Sequence, residues 1–209
     1  MNATYRLDRA AGALFDEAGR GWDRQQRRWV VAAARVSGEA VDTAAALGWL
    51  QRDGGRPIRT PVGVIGPREA SAAQLAAAEA VGQGLARMGL VVVCGGRHGV
   101  MEAVCRGART GGGISIGLLP DADPSFANPF VDVVIATGIG EARNALITRA
   151  ALCLIAIGDS FGTLSEVAFG RQFGKLVIGL EDAANVDGVV HVDTAAAALA
   201  LVAACALDR

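Results

Sequence analysis

The sequence predicts an α/β chain built on a mostly parallel sheet with helices on both faces, preceded by a small N-terminal α+β extension. From Pro61 onward, short runs of β-branched and aliphatic residues alternate with segments of helical periodicity, the pattern of strands joined by crossover helices. These runs are apolar throughout and do not alternate with polar residues, as strands covered on both faces must be. Glycines cluster where the runs turn into the following helices, and glycine is the residue that such tight turns admit. Together these observations describe a Rossmann-like, doubly wound domain over residues 61–209 and an extension over residues 1–60.

In the extension, Phe15 and the run at 28–36 are expected to form a strand or hairpin, and 44–51 a short helix with Trp49 and Leu50. Asp53, Gly54 and Gly55 read as a linker. Trp22 and Trp29 argue for a segment packed against the main domain rather than a free tail. Strands are expected at residues 62–65, 90–94, 114–119, 132–136, 152–157, 176–180 and 189–192. Helices are expected at 70–88, 99–110, 141–151, 163–173 and 194–207. Gly89 and the glycines at 111–113 stop the first two helices where left-handed caps belong. The segment 120–129 holds Pro120, Pro124 and Pro129, which makes it a loop, and its place after a strand aims it at the ligand edge of the sheet.

A chain of 209 residues suffices for one main core with an appendage. Lysine plus arginine number 20 against 21 acids, so no overall field draws the protein to nucleic acid or an anionic membrane, and neither is an expected partner. The longest apolar run, Ala195–Leu207, has 13 residues, short of the roughly 20 that a membrane span needs. Arg6, Asp8 and Arg9 interrupt the N-terminus and no apolar targeting segment is visible, so a cytoplasmic location is expected. Cys94, Cys105, Cys153 and Cys205 lie far apart, without a CxxC pair or histidines at zinc-ligand spacing. They read as reduced, mostly buried thiols, and no metal site is expected.

Ligands of doubly wound sheets bind beyond the carboxyl ends of the strands, where helix N-termini offer free N–H groups and a positive dipole end to anions. Four turns there are informative. In the first, Gly66 permits a tight turn and close ligand approach while Arg68 suits a phosphate; a plain turn with a solvated arginine is the alternative. In the second, Gly95, Gly96 and Gly99 let the backbone approach an anion, Arg97 can add charge-assisted bonds, and Met101 can line a ring pocket or the core. His98 reads as a turn or capping residue. In the third, Arg143 falls in the first turn of a helix and opposes its dipole. A bound phosphate would compensate, and so would a salt bridge to Glu141 or a loop acid. In the fourth, Gly158 and Ser160 lead into Gly162 and Thr163, whose backbone N–H and hydroxyl at a helix N-terminus suit phosphate. Thr163 and Glu166 also match a capping box, which leaves Glu166 open as either a cap or a functional carboxylate.

Taken together, the stretches GGRHGVMEAVCRGA, GEARN and FGTLSEVAFG resemble a superfamily with two relevant branches. One contains the cytokinin-activating "lonely guy" phosphoribohydrolases, often mislabelled lysine decarboxylases, and the other the molybdenum cofactor carrier proteins. The chain runs nearer to the carrier branch, because ARN stands where the hydrolases have an RK stretch and the last helix continues as SEVAFG. Against the hydrolase signature PGGxGTxxE, Gly162 and Thr163 match the phosphate-binding GT, Glu166 matches the catalytic Glu, and Arg143 is the counterpart of its partner Arg. Gly158, Asp159 and Ser160 replace the Pro-Gly-Gly, and an aspartate beside a phosphate cradle repels an anion.

The resemblance implies a binding or carrier protein for a small phosphorylated nucleotide or nucleotide-like cofactor, either AMP-like or the molybdenum cofactor. It also implies a homodimer or higher homo-oligomer. The alternative that it implies is a nucleoside 5′-monophosphate phosphoribohydrolase using Arg143 and Glu166. Lysine decarboxylation needs a Schiff-base lysine. The single lysine, Lys175, precedes a strand at the amino edge of the sheet, so that activity is not expected.

Overall fold

The computed structural model describes residues 4–26, 28–32, 36–54 and 60–207. The extension forms an antiparallel sheet of β1 (Thr4–Asp8), β2 (Ala13–Phe15), β3 (Arg20–Asp23), β4 (Arg28–Val31) and β5 (Glu39–Asp42), followed by α1 (Thr43–Arg52). Its strand order is β4-β3-β2-β1-β5. This sheet is larger than the expected strand or hairpin around Phe15 and the run at 28–36. Each early hairpin is turned by an aspartate whose carboxylate takes nearby amides: Asp8 that of Ala11, Asp16 that of Arg20, and Asp23 those of Gln25 and Gln26. In β1, Tyr5 and Leu7 point inward while Thr4 and Arg6 face solvent, the two-residue period of a half-covered strand. Residues 33–35 of the expected strand and the Gly55 end of the expected linker lie outside the described residues.

The apolar runs form β6 (Val62–Ile65), β7 (Val92–Cys94), β8 (Ser115–Leu119), β9 (Val133–Ala136), β10 (Leu154–Ile157), β11 (Val177–Leu180) and β12 (Val190–His191). Between and after them come α2 (Ala72–Arg87), α3 (Val100–Thr110), α4 (Asn144–Ala150), α5 (Phe161–Gln172) and α6 (Ala195–Leu207). The sheet order is β12-β11-β10-β6-β7-β8-β9, with every neighbouring pair parallel. The chain therefore starts at the centre, walks out to β9, returns to lay β10 beside β6, and walks out the other way. Its topological switch point lies between the carboxyl ends of β6 and β10.

Successive strand residues feed opposite cores. Val62, Val64 and Val92 join α2, α3 and α6 on one face; Ile65, Val93 and Leu154 join Ile147 of α4 and Val167 of α5 on the other. Both edge strands are exceptions: β12 is exposed at both residues, and so is most of β9. The sequence of β9 reads as a strand covered on both sides, yet Val133, Val134 and Ile135 are exposed. The link from β8 to β9 is a loop with a 3-10 turn at Pro124–Phe126 instead of a crossover helix, so this edge has no helical cover.

The extension shares a core with the main domain, and Trp29 and Arg52 also hydrogen-bond it to α6 and α2. Trp29 Nε1 donates to the carbonyl of Leu207 at 2.8 Å, and Arg52 Nη2 donates to the carbonyls of Ala86 and Arg87, each at 2.6 Å. The second contact adds a donor at the open end of α2, where the Ala86 carbonyl also accepts the Gly89 amide at 2.9 Å. Arg52→Ala is expected to cost about 1–2 kcal/mol, measured as a lower urea midpoint with an unchanged slope. Among the described residues, no helix is long and apolar enough to cross a membrane.

Candidate functional site

At the switch point the turns enclose a cavity of about 760 Å³, a volume typical of small-molecule sites. The turn after β6 contributes Gly66, Pro67, Arg68 and Glu69, and the segment entering α5 contributes Asp159 to Thr163 with Ser165 and Glu166. Glu141, Arg143 and Asn144 close a third side. The turn after β7 adds only Gly95, and α3 adds Met101.

The structure thus brings together Gly66, Arg68, Gly95, Met101, Arg143, Ser160, Gly162, Thr163 and Glu166, while Gly96, Arg97, Gly99 and Gly158 do not line the cavity. Gly99 serves the packing of two turns instead. At φ +69° a Cβ there would lie 2.3 Å from the Arg68 carbonyl oxygen, and the following amide of Val100 bonds Pro67 O at 3.1 Å. Arg97 pairs with Asp121 at 2.6 Å and lies over the Phe126 ring. The 120–129 loop accordingly rests against Arg97 and contributes nothing to the cavity wall. His98 is exposed, with Nδ1 3.2 Å from Glu102.

Arg143 ends the 3-10 turn Gly140–Arg143 just before α4 and is only 4% exposed. Its Nη1 donates to Asn144 Oδ1 at 2.5 Å and to Glu166 Oε1 at 3.4 Å, while Nε has no hydrogen-bond partner among the described residues. The partner acid is therefore Glu166; Glu141 faces Arg68 instead, at 3.5 Å. Gly95 makes room for this arrangement, since a Cβ there would come within 2.4 Å of Arg143 Nη2. Gly95→Ala is expected to push the guanidinium or Met101 aside at a cost of about 1–3 kcal/mol, read as a lower melting temperature.

Helix α5 begins two residues earlier than expected. Ser160 is its N-cap, accepting the Thr163 amide at 3.1 Å and lying 2.8 Å from Thr163 Oγ1. Thr163 is consequently inside the helix, and Glu166 does not close a capping box. Glu166 is 6% exposed and lines the cavity beside Arg143. Burial pushes its carboxyl up to about 8, Arg143 pulling it down and Glu141 adding to the rise. This rise favours the protonated acid, a hydrogen-bond donor next to a guanidinium.

Among the cavity residues that do not stand out in the sequence are Asn144, Ser165 and Phe161. Asn144 Nδ2 donates to Ser165 Oγ at 2.9 Å, and Ser165 Oγ donates to the Gly162 carbonyl at 2.7 Å, so the pair ties Arg143 to the first turn of α5. Phe161 stands 95% exposed at the cavity mouth. The adjacency of Asn144 to Arg143 and of Ser165 to Glu166 is the one signal the sequence holds for them. Gly162 has no crowding to explain it: a Cβ there would meet nothing nearer than Ser160 Oγ at 3.8 Å. Glycine in a helix costs about 1 kcal/mol against alanine, and here it keeps the space above the helix start open.

Over residues 59–204 the sequence matches the SLOG cluster4 family. The chain belongs to that family. An uncharacterised protein from Archaeoglobus fulgidus is 37% identical to this SLOG chain over 133 residues, covering 64% of this chain and 87% of its own. The molybdenum cofactor binding protein of the phototrophic bacterium Rippkaea orientalis is 34% identical, with a TM-score of 0.66 over 69% of this chain and 96% of that one. The molybdenum cofactor carrier protein of Chlamydomonas reinhardtii is 30% identical, with a TM-score of 0.65 over 70% and 98%. These likenesses agree with the superfamily and branch read from the turn motifs. Residues 1–58 of this SLOG chain lie outside the family match.

Two other groups in the SLOG fold stand apart from the cavity. Lys175 Nζ donates to the carbonyl of Ala151 at 2.6 Å and reaches that of Arg149 at 3.5 Å, beyond the end of α4. Cys94 and Cys105 are fully buried with their sulfurs 3.6 Å apart, and the hydrogen bond between them, with burial, pushes the Cys94 thiol up. That favours the neutral, unreactive form of Cys94. Among the described residues, no group of three or more His, Cys, Asp or Glu side chains could hold a metal ion.

Proposed function

We propose that this SLOG protein binds a small phosphorylated nucleotide or nucleotide-like cofactor in the switch-point cavity and holds it without cleaving it. One observation carries the reading: a buried arginine, its Nε without a partner among the described residues, lines the same cavity as the N-terminus of α5, where Gly162 leaves open space. A phosphate placed there meets both the guanidinium and the positive end of a helix dipole. The names of the Rippkaea and Chlamydomonas relatives favour a ligand of the molybdenum cofactor type, with an AMP-like nucleotide as the simpler probe. Glu69, Glu141 and Asp159 add three acids to the cavity wall, which disfavours ligands with longer phosphate chains. Leu146, Phe161 and Leu164, exposed on α4 and α5, support association between copies of the chain.

Calorimetric titration with AMP, GMP and a molybdopterin-type cofactor is expected to give saturable micromolar or tighter binding. No free base is expected on prolonged incubation of the nucleotides. Failure of all three to bind would discard the reading.

A second reading is favoured by one observation, the burial of Glu166 in the cavity wall, which raises its carboxyl and favours the protonated acid. A neutral buried carboxylic acid can donate a proton to a departing base, the step that N-glycosidic hydrolysis of a nucleoside 5′-monophosphate requires. Base release from AMP that disappears in Glu166→Gln, with AMP binding retained, would establish this hydrolase activity in place of a purely holding role.

A further inference from the structure

We propose that Ser160 is a built-in competitor of the ligand: its hydroxyl occupies the position on α5 that an oxygen of the bound phosphate takes, and the ligand binds by displacing it. The inference rests on the cavity being a phosphate site. Ser160 Oγ accepts the Thr163 amide at 3.1 Å and shares a hydrogen bond with Thr163 Oγ1 at 2.8 Å. Both polar groups with which Thr163 could hold an anion are thereby engaged by the chain itself. The ligand end of the site has independent support in Arg143, 4% exposed, lining the same cavity and lacking a partner for Nε among the described residues. Helix α5 runs for 12 residues, long enough for its amino end to carry a developed dipole.

The exchange is sterically simple. Ser160 is only partly buried and borders the open space above Gly162, so its side chain can turn away without disturbing the core. A serine hydroxyl is a neutral acceptor, whereas a phosphomonoester near neutral pH brings charged oxygens that make stronger bonds to the same donors. The dianion therefore wins the exchange, while weaker oxyanions do not. Ser160 thus acts as a specificity-determining residue, setting a threshold that a ligand must exceed before Thr163 becomes available.

The prediction is opposite to that for an ordinary binding residue. Removing the hydroxyl weakens the helix cap in the free protein but not in the complex, where the ligand has taken over that role. An N-cap serine replaced by alanine loses helix stability that corresponds to about a fivefold change in an equilibrium constant. Ser160→Ala is therefore expected to bind AMP and inorganic phosphate about fivefold more tightly than the wild type. It should melt at a lower temperature when free and at the wild-type temperature when saturated with AMP. Ser160→Thr keeps an accepting hydroxyl and is expected to retain wild-type affinity. Unchanged or weakened binding by Ser160→Ala, with the wild type still binding AMP, overturns the competitor role alone. Absence of AMP and phosphate binding in both proteins overturns the phosphate site together with it.

Discussion

Arg143→Ala is expected to lower the affinity for AMP or any phosphorylated ligand by on the order of 100-fold or more, with the protein still folded. The guanidinium is a buried cation in the cavity wall, and its Nε has no partner among the described residues, so its positive charge is incompletely matched within the chain and is available to attract a ligand oxygen. Breaking a buried ion pair ordinarily costs about 3–5 kcal/mol because the remaining charge is stranded. Here the residue left behind is Glu166, whose carboxyl retains its proton near neutrality, so the loss of stability should be well below that range at pH 6. Calorimetry and a thermal melt on the same preparation separate the two effects. Wild-type affinity in Arg143→Ala would place the phosphate elsewhere.

The stability of the protein should fall as pH rises, and Glu166 should be responsible. Its carboxyl moves from an ordinary value of 4.5 to about 8 on folding. Between those values the native chain binds more protons than the unfolded chain, so the stability of the native state declines with pH across this window. The limiting slope is ~1.4 kcal/mol per pH unit, with no contribution from this group below or above the window. Glu166→Gln keeps the shape and a donor but cannot ionise, and its stability should be flat where the wild type declines. Urea unfolding of both proteins from pH 5 to 8 at constant ionic strength tests this. Parallel curves for the two would rule out a buried, proton-carrying Glu166.

The parts of the fold legible in the sequence are those with a single physical cause. The runs at β6, β10 and β11 read as covered strands because helices do cover them, and their composition follows directly from that burial. The same composition misleads at β9, where a loop crossover leaves valine and isoleucine at the surface. The short strands of the extension are set by hairpin pairing and by aspartate side-chain bonds, features spread too thinly to stand out from a polar loop.

At the cavity, residue types were readable but strand order was not. Turns after β6 and β10 meet because those strands are neighbours, although 88 positions separate Gly66 from Leu154. The turn after β7 is richer in glycine but stands one strand away, so only Gly95 reaches the cavity wall. The capping ambiguity had a similar origin. Both Ser160 and Thr163 can cap a helix, and packing, which the local sequence does not show, selected Ser160.

The seating of the extension has a practical consequence for spectroscopy. All three tryptophans, Trp22, Trp29 and Trp49, belong to the first 60 residues. Trp29 stacks on Tyr5, meets Trp22 edge-on, and holds a carbonyl 178 positions further along the chain. Intrinsic emission therefore reports whether the two ends of the polypeptide have come together, and it carries little information about events at Arg143. In refolding, the change in emission would follow the packing of the N-terminal sheet and the arrival of α6 on it, a long-range closure of the kind that slows folding.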